Sequence, residues 1–364
     1  MPARYIMIGG FLGAGKTTAI LKLARQLKSQ GQRVGLITND QSIDLVDTAR
    51  AKAAGFAVEE ITGGCFCCKF DSLVSASRQL TRSSAPDVFI AEPVGSCTDL
   101  AATVSYPLRQ LYGQDFQVAP LSVLVDPVRC QKVLGLLDGR NFSEKVVYVY
   151  RKQLEEAEII VMNKTDLVSP AALASLRCAL SEQFPQARLM AVSCATETGL
   201  EPWFAQLTGG ELGHRATMDV DYDLYADGEA LLGWLNARVH IEWAAETDGN
   251  AFLLDLARTL RDGLDAARIE IAHLKMTLAP DSGPDLGAVS LTHSDGQPAA
   301  THDLAAPLWR GTLMVNLRAE ADPEVLKQQL AEAVARIAQA RIEVQVLAAF
   351  RPGRPNPTHR VVAR

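Results

Sequence analysis

A chain of 364 residues exceeds the roughly 100–200 of one ordinary domain, so two domains are expected. An apolar share of 48% and a charged share of 21% fit a globular protein, and a net charge of −6 offers no basic face for nucleic acid. No apolar run approaches the ~18 residues that cross a bilayer, and Tyr5 to Leu12 is too short for a cleaved leader, so the expectation is a cytoplasmic protein without a membrane partner.

In chain order, Tyr5 to Ile8 reads as an apolar strand, and Lys16 to Lys28 as a helix with apolar Ile20, Leu21, Leu23, Ala24 and Leu27. Val34 to Ile37 is the next strand, followed by strand-like runs at Val88 to Ala91, Leu121 to Val125, Ile159 to Met162 and Leu189 to Val192. Helical stretches such as Leu173 to Phe184 separate them. Continuous apolar strands alternating with helices predict an α/β fold, a parallel sheet with helices on both faces. The stretch from Thr208-Gly209-Gly210 to Thr217 marks a boundary, giving domains 1–212 and 213–364. Beyond it come a strand (Leu231 to Ile241), a helix (Ala251 to Leu264), and strands at Ile269 to Leu278, Leu286 to Thr292 and Thr312 to Leu317. A helix (Pro323 to Ala338) and a last strand (Ile342 to Phe350) complete a smaller α+β domain of ferredoxin-like kind with one extra strand. The acidic run Asp219, Asp221, Asp223, Asp227, Glu229 lacks EF-hand spacing and reads as a solvated linker.

Gly10-Phe11-Leu12-Gly13-Ala14-Gly15-Lys16-Thr17 is a complete phosphate-binding loop, placed after a strand and opening a helix. Its glycines let successive N–H groups face phosphate oxygens, and the helix N-terminus adds its dipole. Gly10, Gly13, Ala14, Gly15, Lys16, Thr17 and Thr18 are therefore candidate nucleotide contacts, with Lys16 on the β- and γ-phosphates and the Thr17 hydroxyl on Mg²⁺. Asn163-Lys164-Thr165-Asp166 follows the strand ending at Met162. A carboxylate at Asp166 accepts two hydrogen bonds from the guanine edge and would face an acceptor in adenine, which predicts GTP. Lys164 lies along the ring, Asn163 holds the loop, and Ser193-Cys194-Ala195 closes over the base from the other side.

Seven cysteines, an odd number, fit a reducing compartment. Cys97, Cys130, Cys178 and Cys194 are scattered and read as small packed hydrophobes. Cys65, Cys67 and Cys68 crowd into Gly63-Gly64-Cys65-Phe66-Cys67-Cys68. A structural zinc site needs a second cysteine pair, and a redox pair is more often Cys-x-x-Cys, present here only as Cys65 and Cys68. Three thiolates with an open fourth position suit Zn²⁺, Co²⁺, Ni²⁺ or Cu⁺. Transient metal binding is favoured, with redox use and packing as alternatives. The six histidines, His214, His240, His273, His293, His302 and His359, are dispersed, and none is assigned to a metal.

With these three motifs in order, the chain resembles the CobW-like P-loop GTPases, relatives of the nickel chaperones UreG and HypB. The matching residues run from Gly10 to Thr18, Gly64 to Cys68 and Asn163 to Asp166, and Glu92-Pro93-Val94-Gly95 matches the family's Glu-x-x-Gly. Thr38-Asn39-Asp40 looks like the UreG form of the first switch. The resemblance covers about residues 4 to 207. It implies a GTPase with Lys16, Asp40 and Glu92 in the hydrolytic machinery, and Mg²⁺ held by Thr17, Asp40 and Glu92. It further implies a metallochaperone that carries Zn²⁺, Co²⁺ or Ni²⁺ on Cys65, Cys67 and Cys68 to a client metalloprotein, with a nucleotide-linked homodimer. A loop ordered by γ-phosphate assembles the thiolates in this reading, and hydrolysis relaxes them. The competing functions are a thiol-based redox or metal sensor with a regulatory nucleotide site, and a P-loop small-molecule kinase.

Overall fold

Strand β1 (Ala3–Gly10) is buried along almost its whole length, as a strand covered on both faces must be. The computed structural model describes residues 2–39, 55–211, 213 and 216–363. Asp40 and His214 lie outside the described residues.

β1 is followed by β2 (Val34–Asn39), β3 (Ala57–Ile61), β4 (Val88–Glu92), β5 (Phe116–Val118), β6 (Ser122–Val125), β7 (Ile159–Met162) and β8 (Arg188–Ala191). Every pairing among them is parallel, and the order is β3-β2-β4-β1-β6-β7-β8, with β5 beside the start of β1. The helices Lys16–Ser29 and Leu200–Gly209 pack against one sheet face through Leu23, Ala24, Trp203 and Phe204. Parallel strands align their C-terminal ends, so the segments after β1, β2, β4, β7 and β8 emerge along one edge.

β3 and the helix Phe70–Ser84 escape the sequence pattern. β3 ends the sheet and carries Glu59 and Glu60, charges that suit an edge strand but break the apolar run.

The polypeptide divides at Gly228/Glu229 rather than at the expected 212/213, and the residues from Arg354 on return to the first unit. Part of the expected linker is the helix Tyr222–Leu231, held to the first unit by the Lys145–Asp227 ion pair at 2.7 Å and by Tyr222, whose hydroxyl donates to Asp99 at 2.6 Å. The acidic run is spent on structure: Asp221 accepts from the N–H groups of Asp223 and Leu224, and Asp223 pairs with Arg354.

The second unit is an antiparallel sheet. Its strands are β9 (Leu232–Thr247), β10 (Ile271–Pro280), β11 (Gly287–Leu291), β12 (Ala299–His302), β13 (Leu308–Glu320) and β14 (Ala340–Phe350), in the order β12-β11-β10-β13-β9-β14. The helices Gly249–Ala266 and Pro323–Ala335 close its core through Leu256, Leu260, Leu326 and Leu330. Without β11 and β12 this is the ferredoxin-like order, and the inserted hairpin extends one edge. β12 is exposed throughout, so no apolar alternation announces it. At the other edge, β14 presents Val344, Val346 and Leu347 to solvent.

Candidate functional site

The helix Lys16–Ser29 begins at Gly15, whose φ of 96° lies in the left-handed region, and neither a side-chain cap nor an acidic residue occupies its first turn. Its first N–H groups and dipole are thus available to an anion. A Cβ at position 15 would come within 2.4 Å of the Asn163 amide nitrogen, so glycine is required both by conformation and by the approach of the base-reading loop. Gly10 ends β1, and Gly13 and Ala14 form the turn, closed by a bond from the Ala14 N–H to the Phe11 carbonyl at 3.1 Å. Lys16 is buried and donates to the Gly10 carbonyl at 2.9 Å. The Thr17 hydroxyl donates to Glu92 Oε1 at 3.0 Å, and Thr18 continues the helix. Thr17 and Glu92 therefore share one locus, the arrangement a hard cation needs.

Asn163 holds three segments together. Its amide donates to the Ala14 carbonyl at 2.9 Å, and its Oδ1 accepts from the Cys194 N–H at 3.1 Å. Lys164 adopts a φ of 55° and its ammonium meets Asp126 at 2.7 Å. Asp126, which no sequence motif marks, also accepts from the N–H groups of Val128 and Arg129 at the start of the helix Pro127–Val133. Burial pushes its carboxyl upward, but Lys164 and Arg129 outweigh this and hold it below the usual carboxylate range. Asp166 accepts from the Ser193 hydroxyl. Cys194 enters through its backbone, and burial raises its thiol to about 11, so it stays neutral. The chain thus brings Gly15, Asn163, Lys164, Asp166, Ser193 and Cys194 to one place.

The thiols of Cys65, Cys67 and Cys68 lie 2.7, 3.3 and 3.7 Å apart. Among the described residues they form a group of metal-ligating side chains whose donor atoms all lie within 4.8 Å of one another. Cys65 and Cys67 are buried and Cys68 partly exposed. Zinc at about 2.3 Å from each sulfur separates tetrahedral thiolates by roughly 3.8 Å, so small outward rotations admit such an ion. Hydrogen bonds from the thiols of Cys67, Cys68 and Cys97 hold the Cys65 thiol well below its ordinary range. The bonds to Cys65 and Cys68 push Cys67 well above its own, and the bond to Cys65 takes Cys68 to about 11. Of the three, Cys65 is therefore the thiol that gives up its proton most easily, and binding of a cation displaces those of the others.

Two features of this cluster lie outside the roles the motifs predicted, one from the switch motif Thr38-Asn39-Asp40 and one from the C-terminal segment. Asn39, at the end of β2, donates to the carbonyls of Ile61 and Gly64 at 3.0 and 2.7 Å and accepts from the Phe66 N–H at 2.8 Å. Buried, it pins the cysteine loop to the strand that precedes Asp40. The C-terminal segment supplies a cover: the Asn356 N–H donates to Cys68 Sγ at 3.1 Å, and the Thr358 N–H to the Cys67 carbonyl at 3.0 Å. His359 rests on the Phe70 ring, centroids 4.8 Å apart, and Arg360 bonds Asp99 at 2.7 Å.

A parallel sheet with a phosphate loop, an Asn-Lys-x-Asp loop and a thiol cluster at its strand ends defines a P-loop nucleotide-binding protein. The chain belongs to the CobW/HypB/UreG family, whose nucleotide-binding domain matches residues 4–190. It is 29% identical over 201 residues to the zinc chaperone CobW of Sinorhizobium sp., an alignment covering 49% of this chain and 55% of the relative. It is 30% identical over 176 residues to the zinc chaperone YeiR of Escherichia coli, covering 47% and 49%. The chain thus spans about half the length of these relatives. Among solved structures, the Zn(II)-bound YjiA GTPase of E. coli aligns over 92% of this chain and 99% of its own, with 16% identity and a TM-score of 0.41. Among the described residues, no helix is long and apolar enough to cross a membrane.

Proposed function

We propose that the protein is a GTP-hydrolysing metallochaperone that carries a transition metal on Cys65, Cys67 and Cys68 to a client metalloprotein, with nucleotide state setting metal affinity. The observation that carries this reading is Asn39, one residue before Asp40, whose side chain bonds the end of β3 at Ile61 and the cysteine loop at Gly64 and Phe66. A first switch that moves on γ-phosphate contact takes its metal loop with it. In this reading GTP binds with its phosphates over Gly10 to Thr18 and its base against Asn163, Lys164 and Asp166, beside Ser193 and Cys194. Mg²⁺ sits on Thr17, Glu92 and Asp40, and Lys16 neutralises charge developing on the transferred phosphoryl group.

The metal is cargo. Thiolate donors favour borderline and soft ions, and the names of the relatives CobW and YeiR favour zinc within the Zn²⁺, Co²⁺ and Ni²⁺ set. The client docks through the second unit, and a homodimer forms with nucleotide, as in the expectation from the family. The deciding test titrates zinc into the purified chain with Mg²⁺ and a non-hydrolysable GTP analogue, and again with GDP. The reading predicts one zinc per chain and affinities that differ by at least roughly fivefold between the two nucleotides. Equal affinities would remove nucleotide gating, and no zinc binding would remove the chaperone role.

A further inference from the structure

The two edges of the second sheet differ. β12 is four residues long, and shortness is one way an edge avoids further pairing. β14 is eleven residues long and, among the described residues, has β9 on one side and no strand on the other. Its side chains are no deterrent to pairing. Val344, Val346 and Leu347 are 52%, 41% and 41% exposed, and the strand's charges are confined to Arg341 and Glu343 near its start.

The register on β9 shows how these side chains are arranged. Val344 stands opposite Val239 and Val346 opposite Arg238, so Gln345 is an extra residue, the mark of a bulge. The bulge puts Val344 and Leu347, three apart in sequence, on one face, because their opposites Val239 and Ala237 both lie in the core beneath the helices. Val346 stands on the other face beside Arg238. Ile342 and Ala349 share the first face and pack against the core. The strip Ile342, Val344, Leu347, Ala349 is therefore apolar throughout, with its middle bare to solvent.

We propose that β14 pairs antiparallel with β14 of a second copy of this chain, about a twofold axis at Val346, so that the two sheets join into one. Symmetry selects this occupant. A strand that pairs with its own copy must show the same face at equal steps on either side of its centre. Stepping outward from Val346, with Gln345 left in the bulge, Val344 and Leu347 share the helix-covered face. Glu343 and Ala348 share the other face, Ile342 and Ala349 return to the first, and Arg341 and Phe350 to the second. Val344 then meets the partner's Leu347 twice, and Val346 meets its own copy. No charge stands opposite a like charge, since Glu343 faces the partner's Ala348 and Arg341 the partner's Phe350. Four pairs made twice and one on the axis supply about nine backbone hydrogen bonds, within the ~10 ± 5 of a stable interface. Without the bulge, Val344 and Leu347 would fall on opposite faces and could not meet. This dimer needs no nucleotide and is separate from the nucleotide-linked one above, so its failure leaves the metal-carrying reading untouched.

Sedimentation of the full chain without nucleotide is the first test. A concentration-dependent dimer is expected, and a monomer at every concentration up to about 100 μM overturns the proposal, whether or not the edge captures a foreign peptide. Val346→Lys sets two ammonium groups directly opposite each other and should raise the dimer Kd at least roughly tenfold. Its thermal melt, at a concentration where wild type is monomeric, should match wild type, because the side chain is 41% exposed. A dimer of undiminished affinity in Val346→Lys overturns the interface. Register is read with Val346→Cys under mild oxidation. Opposed residues place their Cβ atoms about 4.5–5.5 Å apart, a small shift from disulfide geometry, so a peptide linked through position 346 to itself is expected. Val344→Cys should give no such self-linked peptide. Self-linking at 344, or none at 346 in a dimeric chain, overturns the twofold at Val346.

Discussion

The nucleotide pocket and the thiol pocket belong to the same unit but are made in opposite ways. The phosphate loop works mainly through backbone: Gly15 in a left-handed conformation, uncapped N–H groups and a helix dipole. Its parts are contiguous, and one side chain, Asn163, ties it to the base-reading loop. The thiol pocket is assembled from stretches far apart in the chain: the side chain of Asn39, the thiols of Cys65, Cys67 and Cys68, and the backbone N–H groups of Asn356 and Thr358. A pocket built from backbone can stay rigid while its ligand changes. One assembled from distant stretches changes whenever any contributor moves.

That contrast can be broken at three points. Lys16→Ala has the largest expected effect, a fall of about 10²–10³ in kcat for GTP, measured by phosphate release. Zinc binding without nucleotide should stay within about twofold. A comparable loss of zinc would mean that the two pockets are one. Asn39→Ala comes next, because it leaves the Ile61 and Gly64 carbonyls and the Phe66 N–H without their buried partner. It should destabilise the chain by roughly 2–4 kcal/mol in chemical denaturation and weaken zinc roughly tenfold or more, with GTP affinity little changed. Undiminished zinc affinity would show that the cysteine loop holds its own shape.

The smallest effect sharpens the comparison through pH. Burial raises the Glu156 carboxyl to about 8, against the opposing hydrogen bond from the Ala101 N–H at 2.9 Å, and the Thr98 hydroxyl also donates to it, just after Cys97. Its folded pKa stands above the unfolded value, so the folded chain holds the extra proton between the two. The stability it contributes is complete below about pH 4.5 and is lost as pH rises through about 8. Melting measured between pH 5.5 and 8.5 should show a loss of roughly 1–3 kcal/mol. Glu156→Gln should flatten this slope, and a slope unchanged in that variant would place the titrating group elsewhere.

The same contrast explains what the sequence made legible. The phosphate loop and the Asn-Lys-x-Asp loop were readable because contact order there is local: Gly10 to Thr18 is one turn, and Asn163 to Asp166 another. β1, β7 and the helix Lys16–Ser29 carry uninterrupted apolar patterns and were found. β3, with Glu59 and Glu60, and the fully exposed β12 have no such pattern. Asn356 and Thr358 contribute mainly backbone N–H groups, which any residue but proline supplies, so sequence carries no mark of their role.

The cover made by these last residues has a consequence in polymer terms. The contact between Thr358 and Cys67 closes a loop of 291 residues, yet loop-closure entropy grows only by about 0.6 kcal/mol per doubling of length. Distance along the chain therefore does little to hold the cover open or shut, and its fate rests on a few hydrogen bonds, one ring contact and the Arg360–Asp99 pair. Such a segment detaches at a small fraction of the free energy that unfolds the sheet. Access to Cys68 is then timed by the fraying of one strip of chain, and the thiols can meet solvent many times in the lifetime of a single folded molecule.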